Sequence, residues 1–321
     1  MADLGPGGGP VVALAGGVGG AKLAHGLQAH LGDRLTVVVN TGDDLELHGL
    51  LVMPDHDTVM YTLAGVANRE LGWGIEGETF AAAEILGRYG EPTWFRLGDR
   101  DLGTHITRTA RLRSGAGLTE VCLGLQRSLG VRAAILPMSD DQVRTDVRTD
   151  DGWLEFQDYF VGRHQEPDVH EVRFRGADMA SAAPGVVDAL DAARAILIAP
   201  SNPIVSVGPI LAIEEIRAAL DRARERGVRI VAVSGIVGGK ALKGPADRML
   251  ASLGHESSAL GVARIYASLA TDFVLDTVDA DLAPSIEALG LQAHVTDTIM
   301  ADDAARARLA AECLAIAGRA S

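Results

Sequence analysis

The sequence predicts an α/β protein whose mostly parallel sheet is covered by helices on both faces. Two observations predict this class. Short β-branched runs stay apolar along their whole length instead of alternating, which is typical of strands buried on both faces. Segments with a helical spacing of apolar residues separate these runs, and such alternation of strands and helices favours parallel pairing.

The first elements follow a tail. Residues 1–10 are rich in Gly and Pro and are expected to be disordered. The run VVALA predicts a strand at 11–15 that stops at glycines. Leucines at every fourth position predict a helix over 21–31, and LTVVV predicts a second strand at 35–39.

The same alternation returns in the rest of the chain. Apolar runs predict further strands at 133–136, 195–199, 228–233 and 273–275, and amphipathic or Ala-rich spacing predicts helices at 209–226 and 302–318.

One segment departs from this alternation. Residues 142–149 alternate in polarity, Asp150-Asp151-Gly152 is a turn signal, and an aromatic-rich run follows to Phe160, so an antiparallel hairpin is expected. We interpret the segment as an inserted subdomain. The expected organisation is a tail at 1–10, a core at 11–140 and 178–321, and an inserted hairpin-containing subdomain at 141–177.

Composition limits the classes of function. The 29 Lys and Arg residues against 43 Asp and Glu residues give a formal net charge of −14, whereas general nucleic-acid binding needs a basic footprint. Two cysteines cannot form a disulfide framework, so buried thiols are expected. The sequence has neither an apolar run of ~18 residues nor the charged start of a signal peptide. We expect a cytoplasmic protein that binds neither nucleic acid nor membrane.

The first candidate site is the turn between the first strand and the first helix, Gly16-Gly17-Val18-Gly19-Gly20-Ala21-Lys22. Its spacing matches neither a P-loop nor a dinucleotide fingerprint. Glycines allow an anion to approach the N–H groups of a helix N-terminus, so phosphate contact is the favoured interpretation. The alternative is a tight turn whose glycines serve only packing. Lys22 either faces the anion or is solvated.

Carboxylates after the second strand form the second candidate. Asp43 and Asp44 end the segment Asn40-Thr41-Gly42-Asp43-Asp44, and the segment MPDHDT at 53–58 follows shortly. Ligands of open α/β sheets bind at the carboxyl ends of strands, and Mg²⁺ prefers such hard oxygen ligands. We favour a functional role for Asp44 and Asp57. The alternative for Asp57 is an N-cap of a helix over 58–68, and for Asp55 alone a structural role is favoured.

The third candidate is a basic stretch in this otherwise acidic chain. It contains Arg96, Arg100, His105, Arg108, Arg111 and Arg113. Such local charge can hold a diphosphate or carboxylate through bidentate hydrogen bonds. A solvated helix face with Asp–Arg pairs is the alternative, and it explains Arg111 and Arg113.

Small polar groups follow three further strands, at 138–141, at Ser201-Asn202 and at 234–240. Each is a weak signal, but together they predict a ligand cleft. The sequence shows no nucleophile elbow and no zinc-ligand motif, which argues against covalent catalysis and structural zinc. Composition and spacing therefore predict an enzyme that holds an anionic, phosphorylated ligand with Mg²⁺.

At these motifs the chain resembles the 2-phospho-L-lactate transferase family of coenzyme F-420 biosynthesis (CofD/FbiA-like). His56 and Gly103 stand where Leu and Ala are expected for the family. The matching stretches occur in the family's order: AGGVGGAKLAHGL (15–27), VVVNTGDD (37–44), HGLLVMPDHDTVMYTL (48–63), LGDRDLGTHITRT (97–109), ILPMSDDQVRT (135–145), FQDYFVG (156–162), APSNPIVSVGPIL (199–211) and GGKALKGPA (238–246).

The resemblance implies a Rossmann-like three-layer core and a Mg²⁺-dependent phosphotransferase that forms a homodimer. A phospho-acid group (2-phospho-L-lactate, phosphoenolpyruvate or phosphoglycerate) would pass from a diphospho-5'-guanosine donor to the ribityl hydroxyl of the deazaflavin Fo, with release of GMP. Such chemistry depends on positioning and charge neutralisation more than on covalent catalysis.

The resemblance also implies roles for individual residues. Asp43 and Asp44 would hold Mg²⁺, and Asp44 and Asp57 would be catalytic, with Asp57 a base or an orienting group. Contacts with Fo are expected from Asp57, Arg96, Asp99, Arg100 and His105. Contacts with the donor are expected from Gly16, Gly17, Gly19, Gly20, Lys22, Ser201 and Asn202.

A function of another class remains open, namely a non-catalytic regulator of the same superfamily that binds nucleotide sugars. The glycine-rich turn and the Asp43-Asp44 pair suit both functions. The stretches LGDRDLGTHI and PMSDD favour the transferase.

Overall fold

The computed structural model describes residues 9–319, so most of the predicted tail lies outside the described residues. The strands are β1 (Val11–Ala15), β2 (Leu35–Val39), β3 (Leu45–Leu47), β4 (Leu50–Val52), β5 (Ala134–Pro137), β6 (Arg144–Thr149), β7 (Gly152–Glu155), β8 (Glu171–Arg175), β9 (Ala195–Ile198), β10 (Arg229–Val233), β11 (Ile236–Val237), β12 (Lys240–Ala241), β13 (Asp272–Asp276) and β14 (Gln292–Thr296).

Helices connect these strands. They are α1 (Gly17–Leu31), α2 (Pro54–Ala64), α3 (Ala81–Arg88), α4 (Asp99–Arg113), α5 (Leu118–Ser128), α6 (Val186–Ala192), α7 (Gly208–Leu211), α8 (Glu214–Glu225), α9 (Ala246–Ser252), α10 (Ala259–Tyr266), α11 (Ala283–Glu287) and α12 (Asp303–Ala317).

The core is a sheet of seven strands in the order β14-β13-β10-β9-β1-β2-β5. Each neighbouring pair is parallel, which confirms the predicted α/β class. The edge strand β14 was not predicted, because its residues are mostly part-buried or exposed and its sequence QAHVT is not a continuous apolar run.

Helices cover both faces of this sheet. Successive side chains of β1 enter opposite cores: Val12 and Leu14 lie in one buried apolar cluster, and Val11 and Ala13 lie in the other. Both clusters bury residues of the other central strands as well. A strand with apolar contacts on both faces has no reason to alternate, which explains the continuous apolar runs of the sequence.

The order of connections reverses beside β1. The chain leaves β1 towards β2 and β5, and later returns through β9 on the other side of β1 towards β14. Open α/β sheets bind ligands at such a switch point, outside the carboxyl ends of the strands. The loops after β1 and β9 are therefore placed at the expected ligand position.

Several helix bounds differ from the sequence prediction. Helix α1 begins at Gly17, so the glycines form its first turn. Helix α2 begins at Pro54, because Pro suits the first helical position, and Asp57 therefore lies inside the first turn instead of capping it. The predicted helix over 209–226 is divided into α7 and α8, because Ile213 between them is extended.

The predicted hairpin is present and belongs to a three-stranded antiparallel sheet in the order β7-β6-β8. Strand β7 ends at Glu155, earlier than the aromatic run predicts, and Asp158–Gly162 is helical. The reason is packing, since Phe156 and Tyr159 both turn into a small apolar cluster with Val205 and Met249.

Two further features agree with the composition. Cys122 and Cys313 are free and buried. Among the helices at 9–319, none combines the length and apolar character that crossing a membrane requires.

Candidate functional site

The glycine-rich turn after β1 is tied to two neighbouring loops. The N–H of Gly16 donates to Ser201 Oγ at 3.1 Å, and Ser201 Oγ donates to the Gly16 carbonyl at 2.8 Å. The N–H of Gly17 donates to Asp55 Oδ1 at 2.7 Å. The loops after β1 and β9 and the start of α2 thus meet at the switch point.

Close packing explains why this turn consists of glycines. A Cβ atom at Gly16 would lie 2.4 Å from Asp55 Oδ2, and one at Gly19 would lie 2.3 Å from the Pro200 carbonyl oxygen. Gly17 has a φ of +60°, a region that side chains disfavour. The glycines therefore serve packing. The N–H of Gly17 at the start of α1 is taken by the Asp55 carboxylate, and the rest of this first turn is partly exposed.

A buried polar group surrounds Asn40, which follows β2. Asn40 Nδ2 donates to Asp43 Oδ1, to Asp55 Oδ2 at 3.0 Å and to the Val205 carbonyl at 3.2 Å. Gln157 Nε2, from the inserted segment, donates to Asp43 Oδ2 at 3.3 Å. A neutral amide therefore sits between two buried carboxylates.

Among the described residues, Asp43 and Asp55 are held by amide and backbone N–H donors and not by a cation. Burial, followed by the charges of Asp55 and Asp44, holds the pKa of Asp43 well above its usual range. Burial raises the pKa of Asp44 against the opposing charges of Arg144 and Arg108, and it raises the pKa of Asp55 to about 6. Buried acids that repel each other are costly to ionise unless a cation joins them.

The acidic cluster fits a divalent metal. Asp44 Oδ1 is buried and has no hydrogen-bond partner among the residues described. Asp43 and Asp44 together offer hard oxygen ligands of the kind that Mg²⁺ takes along with water and substrate phosphates. The predicted metal residues Asp43 and Asp44 are thus brought together with Asp55, which the sequence analysis had assigned a structural role.

A second buried group surrounds Asp57. Arg108 holds both of its carboxylate oxygens, with Nη1 at 3.0 Å from Oδ2 and Nη2 on Oδ1. His105 Nδ1 lies 3.6 Å from Asp57 Oδ2. Behind it, Tyr61 Oη donates to Asp101 Oδ1 at 2.6 Å.

Helical spacing brings this second group together. Asp57 and Tyr61 lie four residues apart on α2, and Asp101, His105 and Arg108 share one face of α4. Burial alone would raise the pKa of Asp57. The charge of Arg108 and the neighbouring His56 side chain lower this pKa by more than burial raises it, so the net pKa lies well below the usual range. Asp57 is therefore an ionised carboxylate and a weak base.

One trio in this group has the proximity of metal ligands, namely Asp57, Asp101 and His105. The guanidinium of Arg108 already neutralises Asp57 at that point and would repel a cation. Asp43 and Asp44 lack such a guanidinium partner among the described residues, so their buried charge is the one left unshared.

Other predicted residues lie apart from these two groups or have local partners. The Arg96 guanidinium stacks on the Phe80 ring at 4.1 Å, and Arg100 Nη1 donates to the Glu76 carbonyl. Asp99 accepts from the N–H groups of Ala81 and Ala82 and so caps α3.

Two predicted donor contacts also have local partners. Lys22 Nζ donates to the Met300 carbonyl at 3.1 Å. Asn202 Oδ1 accepts from the N–H of Ile204 at 2.9 Å, which caps the following helical turn. Of the loop after β9, Ser201 is the residue that contacts the glycine turn directly.

The sequence places Arg108 and Asn40 in candidate segments but assigns neither a role of its own, and it favours a structural role for Asp55. Asn40 is adjacent to the predicted Asp43-Asp44 pair, and the spacing of Asp101, His105 and Arg108 is a helical signal. Their pairing across different helices could not be found, because it depends on how α2 and α4 pack.

The chain is similar to proteins of one known family. The sequence profile of the 2-phospho-L-lactate transferase CofD family matches residues 11–313. A relative from Streptomyces griseus named phosphoenolpyruvate transferase is 44% identical over 96% of this chain and 98% of its own. A relative from Methanosarcina mazei named 2-phospho-L-lactate transferase is 41% identical over 90% of this chain and 94% of its own.

A solved structure shares the fold. The crystal structure of a UPF0052 family member from Bacillus halodurans superposes with a TM-score of 0.60 at 14% identity, and the match covers 95% of this chain and 99% of that one. With a family profile over nearly its whole length and full-length relatives above 40% identity, the chain belongs to the CofD family of 2-phospho-L-lactate transferases.

Proposed function

We propose that this protein is a Mg²⁺-dependent transferase that moves a phosphoacid group from a diphospho-5'-guanosine donor to the ribityl hydroxyl of Fo and releases GMP. The observation that carries the proposal is the buried acidic cluster of Asp43, Asp44 and Asp55 beside the first turn of α1, where the Gly17 N–H donates to Asp55. This combination sits at the switch point of a CofD-family chain.

The cluster explains why a metal is needed. A diphosphate at the start of α1 would lie beside the carboxylates of Asp43, Asp44 and Asp55, and like charges in a buried place repel strongly. Mg²⁺ held by Asp43 and Asp44 would neutralise the diphosphate. Ser201 and the glycine turn would hold the donor phosphates by exchanging their mutual hydroxyl and N–H hydrogen bonds for bonds to phosphate.

Asp57 would orient the acceptor. A carboxylate that Arg108 keeps ionised accepts a hydrogen bond from a hydroxyl but binds its proton weakly. We therefore propose that Asp57 positions the attacking ribityl hydroxyl and does not act as its general base. Arg96, stacked on Phe80, would contact the Fo ring system.

The acid that is transferred is proposed from the relatives. Six relatives, from Streptomyces, Kitasatospora, Nocardia and Mycobacterium at 39–45% identity, are named phosphoenolpyruvate transferases. The two Methanosarcina relatives named 2-phospho-L-lactate transferases are 41–42% identical. We propose the phosphoenolpyruvyl donor as the preferred one.

A donor competition assay tests the function. Purified protein, Fo and Mg²⁺ are incubated with equal amounts of the phosphoenolpyruvyl, phospholactyl and phosphoglyceryl donors, and products are identified by mass spectrometry. The expected products are GMP and a phosphodiester of Fo, with the enolpyruvyl form predominant. The variant Asp44→Asn serves as the inactive control.

Two outcomes would contradict the proposal. Absence of product from every donor, together with absence of Fo binding in a fluorescence titration, would remove the transferase function. Tight binding of a uridine-diphosphate sugar without Fo binding would favour the regulatory alternative.

A further inference from the structure

Arg108 is the largest fully buried side chain among the described residues, and its charge needs an explanation. It extends from α4 and holds both oxygens of Asp57 on α2. Its Nη1 also lies 3.2 Å from the Leu51 carbonyl of β4 and 3.4 Å from His105 Nδ1. The Arg108 guanidinium thus joins α4, α2 and β4 around the Asp57 carboxylate.

Stability alone is a poor explanation for this group. A buried ion pair is often replaceable by apolar side chains without loss of stability. A purely structural pair is also expected to satisfy all its polar atoms. Here Arg108 Nε and His56 Nε2 are buried without a hydrogen-bond partner among the described residues, whereas His105 Nε2 lies 3.2 Å from Asp101 Oδ1 and His56 Nδ1 lies 3.6 Å from Asp57 Oδ1.

The position of the group points to the reaction. Asp57 lies in the first turn of α2, two residues after Asp55, which contacts the glycine turn. Arg108 and Asp57 both act electrostatically on Asp44, whose Oδ1 has no hydrogen-bond partner among the residues described. The guanidinium of Arg108 therefore fixes the Asp57 carboxylate near Asp44, one of the proposed metal residues.

We propose that Arg108 is a positioning residue that fixes the orientation of the Asp57 carboxylate for the acceptor hydroxyl. The inference rests on the proposed function. A guanidinium grips both oxygens in one plane, whereas an ammonium would hold the carboxylate as a point charge and let it rotate. His105 supports the carboxylate from the same face of α4.

The test compares Arg108→Lys with a matched variant, Arg229→Lys. Arg229 is also buried and also holds both oxygens of an aspartate, Asp272. It lies at the amino ends of the strands, away from the candidate site. Lysine keeps the charge in both places, so both variants are expected to fold. Steady-state kinetics with Fo and the preferred donor give kcat and KM, and thermal unfolding gives Tm.

We expect Arg108→Lys to lower kcat about 100-fold, the cost of a misplaced reacting group, with the donor KM within threefold of wild type. Arg229→Lys is expected to keep kcat within twofold at a similar loss of Tm. Added guanidinium ion at low millimolar concentration should restore part of kcat in Arg108→Ala but leave Arg229→Ala unchanged.

If the arginine variants fail to fold, His105→Asn keeps the Arg108–Asp57 pair and is expected to lower kcat about tenfold. Wild-type kcat in Arg108→Lys, or an equal kcat loss in Arg108→Lys and Arg229→Lys, would overturn the inference. An active wild-type enzyme with an unaffected Arg108→Lys variant leaves the proposed function intact. An inactive wild-type protein removes the proposed function and this inference with it.

Discussion

Two Arg–Asp–His groups lie at opposite ends of the parallel strands of the central sheet, one at the amino ends (the amino edge) and one at the carboxyl ends (the carboxyl edge). Arg229, Asp272 and His294 come from β10, β13 and β14, and two of them are the first residues of their strands. Arg108, Asp57 and His105 lie in helices at the carboxyl edge. The side-chain chemistry is the same, yet the two groups differ in how completely their polar atoms are paired.

The group at the amino edge is fully connected. Asp272 accepts from Arg229 at 2.9 Å, from His294 at 2.8 Å and from Thr271 at 2.7 Å. Arg229 Nε further donates to the Arg319 carbonyl. Such a network stabilises the fold, and among the described residues none of its fully buried side-chain atoms lacks a hydrogen-bond partner.

The group at the carboxyl edge is incomplete. Arg108 Nε has no hydrogen-bond partner among the described residues, and the same holds for the buried atoms Asp44 Oδ1, Thr41 Oγ1 and Thr145 Oγ1. The difference teaches that pairing of polar atoms, more than the presence of a buried charge, separates a structural group from a functional one.

The largest expected effect tests this comparison directly. Asp57→Asn and Asp272→Asn each leave a buried arginine without its counter-charge, so each should lower the free energy of unfolding by about 3 to 5 kcal/mol. Only Asp57→Asn should lower kcat, by about 10³-fold, because only Asp57 is proposed to orient the acceptor. Urea unfolding and steady-state kinetics measure both quantities. A kcat loss shared by the two variants would show that destabilisation explains it.

A second prediction concerns the metal and does not depend on activity. Mg²⁺ at 100 times its Kd should raise the free energy of unfolding by about 2.7 kcal/mol, because it binds the folded cluster and not the unfolded chain. Asp44→Asn should abolish the gain, whereas Asp272→Asn should retain it. Thermal unfolding with Mg²⁺ or with chelator measures the effect. Equal stabilisation of Asp44→Asn would remove Asp44 from the metal site.

The smallest effect is a difference in pH dependence between the two edges. Asp55 has a folded pKa of about 6, above its unfolded value, so the metal-free protein should lose stability as pH rises from about 4 to 6. The contribution is roughly 1 to 3 kcal/mol. Asp43 and Asp44, whose pKa values are also raised, contribute to the same loss, so Asp55→Asn should make it smaller in urea unfolding at stepped pH.

Asp272 has the opposite sign. Burial alone would raise the pKa of Asp272. Hydrogen bonds from His294, Thr271 and Arg229 lower this pKa by more than burial raises it, so the net pKa lies below the usual value. Its stabilisation is present above the unfolded pKa and is lost as pH falls through the folded pKa. Asp272→Asn should reduce the fall in the free energy of unfolding below about pH 4 and leave its pH dependence from 4 to 6 unchanged. The same slope change in both variants would contradict the assignment of Asp55.

Much of the fold could be predicted from the sequence. Strands buried on both faces can be recognised from continuous apolar runs. The bounds of β1, β2 and β10 lie within one residue of those predicted. Edge strand β14 could not be found this way, because its side chains are only partly buried. Helix α2 was placed too late, because the apolar pattern was given more weight than Pro54.

The candidate site was predicted in part. The glycine turn, Asp43, Asp44, Asp57 and Ser201 come from strand ends or their neighbours, and parallel strands bring their carboxyl ends to one edge. Asp99 and Lys22 illustrate the limit, since a charged residue in a matching motif has many possible partners. Their hydrogen bonds are to α3 and to Met300, which no local pattern specifies.

The sequence by itself determined the α/β class, the polar loops at the strand ends and the membership of the family, because these depend on local periodicity and on motifs. Only the tertiary structure decided which charges meet. Helices α2 and α4 are separated by more than thirty residues of chain, and their packing pairs Asp57 with Arg108, leaving Asp43, Asp44 and Asp55 without a cation. The electrostatic energy of buried groups depends on distances of a few ångströms between distant segments, and no sequence spacing encodes those distances.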